Sequence, residues 1–292
     1  MRGRIIKLIS NQYTVLLESQ QTVDCIARGK LRQDKVPLAG DDVEVIQFED
    51  KYGIEKIYPR KNYLLRPPIA NVDQALIVMS ACEPDFSTIL VDQLLFLISH
   101  AGIKPLLLIT KMDLVTDQKQ IQDHIDDYRS GGYQVLCSGK DQDEKELNEL
   151  ATVLKGKITV LSGQSGVGKS SMINRLSPEF SLQTQEISKA LGRGKHTTRH
   201  VELHPVAGGW VADTPGFSKL DFSHIKKEEL MYDILDFQPY LNQCRFRDCL
   251  HDKEPGCAVK EAKEKGLISP VRYRHYIDCL RIIEQGKKNL YD

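Results

Sequence analysis

The stretch Gly163-Gln164-Ser165-Gly166-Val167-Gly168-Lys169-Ser170-Ser171 decides the fold. It reads G-x-x-x-x-G-K-S, a phosphate-binding loop. The run before it, Lys157-Ile158-Thr159-Val160-Leu161-Ser162, is short, apolar and β-branched, which predicts a buried strand. The run after it, Ser171-Met172-Ile173-Asn174-Arg175-Leu176, can open a helix. Strand, glycine-rich turn and helix are the context such a loop needs. Its glycines let backbone N–H groups converge on phosphate oxygens, and the helix N-terminus adds positive potential. Lys169 can neutralise β- and γ-phosphates, and the Ser170 hydroxyl can ligate Mg²⁺. A nucleotide is therefore expected along Gly163–Ser171.

Upstream of the loop, from Asp73, strands and helices alternate. Ala75–Ser80, Pro105–Ile109 and Gln134–Cys137 read as buried strands, and Thr88–His100, Asp117–Ser130 and Asp143–Leu154 as helices. This predicts a parallel α/β sheet with helices on both faces. Two further signals sit at strand ends, where such sheets bind ligands. Thr110-Lys111-Met112-Asp113 fits the Asn/Thr-Lys-x-Asp pattern of guanine-binding proteins. A carboxylate at Asp113 can accept from both the ring N1–H and the exocyclic amine of guanine, whereas adenine would leave it unpaired at a cost. The aliphatic stem of Lys111 can cover the base. Asp113 can alternatively cap a following helix. One strand later, Ser138-Gly139-Lys140 resembles the turn whose backbone N–H reads guanine O6.

Downstream, Gln185–His200 is polar and contains glycine. A threonine there can ligate Mg²⁺ and sense the γ-phosphate; Thr197 and Thr198 both qualify, and Thr198 is favoured. Val201–Val206 and Trp210–Ala212 read as strands leading into Asp213-Thr214-Pro215-Gly216. Asp213 can hold Mg²⁺ through water, and the Gly216 N–H can meet the γ-phosphate. The base-reading turns thus precede the phosphate loop, the reverse of the usual order, as in a circularly permuted domain. The residue after Gly216 is Phe217, where many GTPases carry a glutamine that orients the attacking water. Slow intrinsic hydrolysis is expected, with His196 as a candidate catalytic group.

Residues 1–66 show about five short alternating segments, Gly3–Ile9, Tyr13–Glu18, Thr22–Ala27, Asp42–Phe48 and Gly53–Ile57, which fit a small barrel such as an OB-fold. Arg28, Lys30, Arg32 and Lys35, with Arg60, Lys61 and Arg66, can track a phosphate backbone or form a solvated surface. Arg66-Pro67-Pro68 reads as a stiff linker. The expected domains are an all-β barrel over 1–66, an α/β nucleotide domain over 67–220 and a mainly helical region over 221–292.

The helical region contains Cys244, Cys249, His251 and Cys257, with Pro255-Gly256 forcing a turn. Three thiols and an imidazole at this spacing suit a closed, structural zinc site. Seven cysteines in all, three of them crowded beside that histidine, point to a reducing compartment rather than a disulfide framework. Arg245, Arg247 and Lys253 among the donors suit RNA phosphates, although acidic residues are equally numerous beyond 220. The formal net charge is zero, so composition alone predicts no nucleic-acid partner. No apolar run approaches the ~20 residues of a membrane helix. Met1-Arg2-Gly3-Arg4-Ile5-Ile6-Lys7 lacks a signal-peptide core. A cytoplasmic chain with no membrane partner is expected, and a monomer.

Taken together, the barrel, the motif order and the zinc spacing resemble the ribosome small-subunit-dependent GTPase A family of circularly permuted GTPases. The resemblance spans nearly the whole chain; Thr110 stands where asparagine is common, and its hydroxyl can still brace the loop. It implies a factor that binds GTP and GDP, joins the small ribosomal subunit and its rRNA late in maturation, and hydrolyses GTP with stimulation by that subunit. Two other readings remain. One is an ATP-dependent enzyme, against which Asp113 argues. The other is a non-catalytic RNA-binding zinc protein, which Phe217 keeps open.

Overall fold

A computed structural model describes residues 1–9, 12–27, 36–65, 68–139, 144–177, 200–212 and 220–288. In chain order the strands begin with β1 (Arg2–Ile9), β2 (Gln12–Leu17), β3 (Thr22–Ala27), β4 (Asp42–Phe48), β5 (Lys51–Ile57), β6 (Tyr63–Leu65), β7 (Pro68–Ala70) and β8 (Gln74–Ser80). Then come α1 (Thr88–His100), β9 (Lys104–Thr110), α2 (Gln118–Ser130), β10 (Val135–Cys137), α3 (Glu144–Leu154), β11 (Ile158–Ser162) and α4 (Lys169–Leu176). The rest are β12 (His200–Glu202), β13 (His204–Val206), β14 (Gly209–Ala212), α5 (Lys227–Leu230), α6 (Ala258–Glu264) and α7 (Pro270–Lys288). The chain divides into two compact units: Met1–Ala75, Asp143–Leu161 and Gly168–Phe217 form one, and Leu76–Gln142, Ser162–Val167 and Ser218–Asp292 the other.

In the first unit, β1 pairs with both β2 and β4, β2 with β3, β3 with β5 and β5 with β4, so five strands close on themselves. Closure removes the free edges that an open sheet of this size would expose. Alternation sets the core: on β3, Val23, Cys25 and Ala27 point in while Thr22, Asp24 and Ile26 point out. Register shifts between Ile5 and Lys7 and between Glu44 and Val45 supply local bends that curl the sheet. Of the stretch expected as a linker, Arg66 and Pro67 lie outside the described residues, and Pro68 opens β7 opposite Leu65 of β6.

Val201–Val206, expected as one strand, is two. β12 joins β1 of the barrel, with Val201 opposite Leu8, while β13 pairs with β14. The break falls at Leu203, whose N–H donates to the Ile6 carbonyl at 2.7 Å. Pro205 follows on β13, opposite Trp210; lacking an N–H, it can sit only where no ladder bond is needed from it. β14 runs parallel to β11, with Ile158 opposite Trp210 and Val160 opposite Ala212.

In the second unit, β8, β9 and β10 lie side by side, and β9 and β10 run parallel. Every residue of β8 is buried. α1 turns Val91, Leu94, Leu95 and Ile98 inward at helical spacing and is capped by the Ser87 hydroxyl. The cap of α2 is Asp117, not Asp113. Beyond residue 220 the helices are short, apart from α7, which Ser269 opens with its hydroxyl on the Arg272 N–H and with Pro270 at the first position. Among the described residues, no helix is long and apolar enough to cross a membrane.

Candidate nucleotide and metal sites

The phosphate loop grows from β11, all five of whose residues are buried. Gly163 has φ +126°, and a Cβ there would stand 2.0 Å from the Val78 carbonyl oxygen, so no side chain fits. Val167 is wholly buried and anchors the loop, while Ser165 and Gly166 are exposed and Gln164 is half-buried. Gly168, at φ +94°, turns the chain into α4, and its carbonyl accepts the Met172 N–H at 3.0 Å. Lys169, Ser170 and Ser171 occupy the first turn, with both serines exposed. The N–H groups of a helix's first turn, with the helix dipole behind them, favour an anion.

The two turns expected to read the base meet in space. β10 runs parallel to β9 with Cys137 opposite Ile109. The Ser138 N–H donates to the Ile109 carbonyl at 2.8 Å, and the Met112 N–H to the Ser138 carbonyl at 3.1 Å. A Cβ at Gly139 would lie 3.3 Å from an oxygen of Asp113, so the exposed carboxylate stands directly over the second turn. Lys111 adopts a left-handed φ of 58°, and its ammonium donates to the Glu83 carbonyl. Thr110 closes the arrangement. Its hydroxyl lies 2.6 Å from the Val167 carbonyl and 3.1 Å from the Met79 carbonyl. A hydroxyl has a single proton, and the shorter contact, to the phosphate loop, is the stronger one. Lys140, His196, Thr197, Thr198, Asp213, Gly216 and Phe217 lie outside the described residues; β14 ends at Ala212, one residue before Asp213.

Cys244, Cys249, His251 and Cys257 converge, with one donor atom from each within 4.8 Å of all the others. Nδ1 of His251 lies 3.5 Å from the Cys244 and Cys249 sulfurs and 3.3 Å from that of Cys257, and the Cys244 and Cys257 sulfurs are 3.9 Å apart. Donors about 2.0–2.3 Å from one tetrahedral zinc ion are about 3.5–3.8 Å from each other, so these residues fit that ion. Burial pushes the Cys249 thiol up to about 12 and holds His251 below the ordinary imidazole range, toward its neutral, ligating form. The donor loop is held from outside: the Tyr273 and Tyr276 hydroxyls donate to the His251 and Leu250 carbonyls at 2.6 and 2.7 Å. Glu254 accepts the N–H groups of Leu250 and Asp252 at 3.0 and 2.9 Å.

With this geometry in place, comparison with known proteins decides the family. The family described as RsgA GTPase matches residues 57–223, more than half of the chain, and the RsgA N-terminal domain matches residues 2–54. The chain belongs to the RsgA GTPase family. It is 50% identical to the "Small ribosomal subunit biogenesis GTPase RsgA" of Bacillus subtilis, with 98% of each chain covered. A relative from Oceanobacillus iheyensis, RsgA 2, is also 50% identical over 98% of each chain. Among solved structures, YloQ, described as a circularly permuted GTPase, superimposes with a TM-score of 0.83 at 42% identity, over 97% of this chain and 95% of that one. YjeQ from Thermotoga maritima gives 0.83 at 34% identity, over 97% and 98%. As a member of the RsgA GTPases, the chain is a GTP hydrolase with a permuted G domain.

Several residues packed around these elements belong to no motif. Glu83 contributes only a backbone carbonyl, which any residue type can offer. Gln74 donates to the Val153 carbonyl at 2.9 Å and to the Thr159 hydroxyl at 3.0 Å, fixing the root of β11. Arg272 is buried far along the sequence from every nucleotide motif.

Proposed function

We propose that the chain is a Mg²⁺-dependent GTPase of small ribosomal subunit biogenesis, slow by itself and stimulated by the subunit. The observation that carries this reading is the Thr110 hydroxyl on the Val167 carbonyl at 2.6 Å, which ties the base-reading turn to the phosphate loop. Asp113 reads the N1–H and amine edge of guanine, Lys111 covers the base, and the backbone of Ser138–Lys140 meets O6. Backbone N–H groups of Gly163–Gly168 and the Lys169 ammonium hold the phosphates. Bound Mg²⁺ would neutralise β/γ charge between the Ser170 hydroxyl, Thr198 and, through water, Asp213. His196 orients the attacking water in place of the glutamine that Phe217 replaces.

The relatives' name supplies the partner: each is called a small ribosomal subunit biogenesis GTPase. On this reading the barrel of residues 1–66 and the zinc-held region of 221–292 grip rRNA, the G domain of 67–220 reads nucleotide, and the protein works as a cytoplasmic monomer. Zinc at Cys244, Cys249, His251 and Cys257 is structural, because a Cys₃His set leaves no open position. The test is multiple-turnover GTP hydrolysis by the purified chain alone, with small subunits, with large subunits and with unrelated RNA. Stimulation by small subunits only, lost in Lys169→Ala, is the expected result. GTP bound without turnover in every mixture would overturn it in favour of a non-catalytic RNA-binding protein. Asp113→Asn should shift binding from guanine toward xanthine nucleotides.

A further inference from the structure

The turn that carries Lys111 is braced from behind by groups that belong to no nucleotide motif. The Lys111 ammonium donates to the Glu83 carbonyl, in the connection between β8 and α1. Phe86 anchors that connection: its ring stacks on His124 at 5.4 Å and meets the edge of Tyr128 at 6.4 Å. The Tyr128 hydroxyl donates to the carbonyl of Thr88, the first residue of α1, at 3.3 Å. Beside Tyr128 lies the Arg272 guanidinium, 4.9 Å from its ring centre and 5.1 Å from that of Tyr133. Arg272 comes from α7, the helix whose Tyr273 and Tyr276 hold the metal-donor loop. All of these residues fall in the same compact unit.

The Arg272 side chain is 1% exposed and faces three carboxylates: Asp236 at 2.9 Å, Asp127 at 3.0 Å and Asp92 at 3.6 Å. His275, one turn on, meets the other oxygen of Asp92 at 2.5 Å. Replacing a buried ion cluster by apolar residues is commonly neutral or stabilising, so stability alone does not account for this one. What a rigid guanidinium fork supplies is direction. Contacts to Asp92 on α1, Asp127 on α2 and Asp236 fix α7 against both helices at once, and Tyr128 passes that position to Phe86.

We propose that Arg272 is a positioning residue for guanine-nucleotide binding, acting through Tyr128, Phe86 and the Glu83 carbonyl on Lys111. The metal-donor loop and the base-reading turn are thereby coupled, and coupling between sites is reciprocal. The inference rests on the base-covering role of Lys111 proposed above. Its test is a double-mutant cycle on the full-length, zinc-loaded chain, reading the Kd for a fluorescent GDP at a temperature where circular dichroism shows every variant folded. Arg272→Gln should weaken GDP about 5-fold or more, the lower range of measured couplings. In a Lys111→Ala background the same change should cost nothing further, because the route is already cut. A merely structural arginine would lower the melting temperature and leave this non-additivity absent. Should Arg272→Gln fail to fold, Gly131→Ala replaces it: a Cβ there would stand 2.9 Å from the guanidinium and displace it with every charge retained. An unchanged Kd in folded Arg272→Gln or Gly131→Ala, or equal losses in both backgrounds, overturns the route alone. An unchanged Kd in Lys111→Ala overturns the base reading itself, and the route with it.

Discussion

In the barrel, five strands turn Ile5, Tyr13, Val15, Val43, Val45 and Ile54 into one apolar cluster, and the buried Asp41 pairs with a single arginine, Arg60. Asp41 is fully buried and takes Arg60 Nε at 2.6 Å, Arg60 Nη2 at 2.7 Å and the Leu38 N–H at 2.7 Å, so both its oxygens are satisfied. In residues 220–288 the helices other than α7 are short, and two polar clusters are buried: three thiols with an imidazole, and Arg272 with Asp236, Asp92 of α1 and Asp127 of α2. Apolar burial is spread over many residues and survives the loss of any single one. A zinc ion held by Cys244, Cys249, His251 and Cys257 would concentrate the same work on four side chains. The two regions should therefore fail in different ways.

The largest expected separation comes from the metal. Structural zinc contributes about 10–16 kcal/mol of apparent binding free energy in zinc-finger peptides. Chelation at neutral pH, or Cys257→Ser, should make the amides of 244–257 and the adjoining helices exchange rapidly while those of β1–β5 stay protected. Hydrogen exchange read by mass spectrometry distinguishes the two regions, and simultaneous loss of protection in both would break the comparison. Next in size is Asp41→Ala, which leaves the largely covered Arg60 guanidinium only the Val36 carbonyl and should cost about 3 kcal/mol, the lower end for breaking a buried pair. Ile54→Ala, a cavity in a fully buried site, should cost about 2–5 kcal/mol. Both should leave one zinc per chain. Zinc loss in either variant would show that the barrel and the metal loop do not stand on separate supports.

The same contrast explains what was legible. Period-two alternation marked Thr22–Ala27 and Asp42–Phe48 to the residue, because a half-buried strand writes its burial into its sequence. The helical spacing of Thr88–His100 did likewise. The convergence of Cys244, Cys249, His251 and Cys257 is legible because a tetrahedral site needs specific residue types at turn spacing, and the turn after β11 because its backbone admits no side chain at Gly163. Val201–Val206 reads as one strand because Val201 and Leu203 alternate with the polar Glu202 and His204; the break at Leu203 depends on a carbonyl of β1 far earlier in the chain. Arg272 was invisible for a related reason. Its partners Asp92, Asp127 and Asp236 lie on three separate elements, and no local pattern ties an arginine to carboxylates that distant.

The smallest expected effect is also the sharpest comparison, since it sets one buried aspartate against another. Burial raises the Asp236 carboxyl above its ordinary 3.8, with the Arg272 charge opposing that rise. A raised folded pKa means that the folded state holds its proton more tightly than the unfolded state does. Stability from this group is therefore greatest below 3.8, falls as pH climbs through the raised value, and at neutral pH the full cost of ionisation is present. Asp236→Asn removes that cost, keeps an oxygen to accept from Arg272, and leaves Asp92 and Asp127 to neutralise the guanidinium. It should change neutral-pH stability by at most about 1 kcal/mol, because trading a surplus buried charge for a neutral group is often free. Paired urea melts of the two proteins should show the variant gaining relative to the parent as pH rises from near 3.8 toward neutrality; comparing the pair cancels any metal loss they share. A loss on the scale of Asp41→Ala would mean that all three carboxylates are needed and that none of them is surplus.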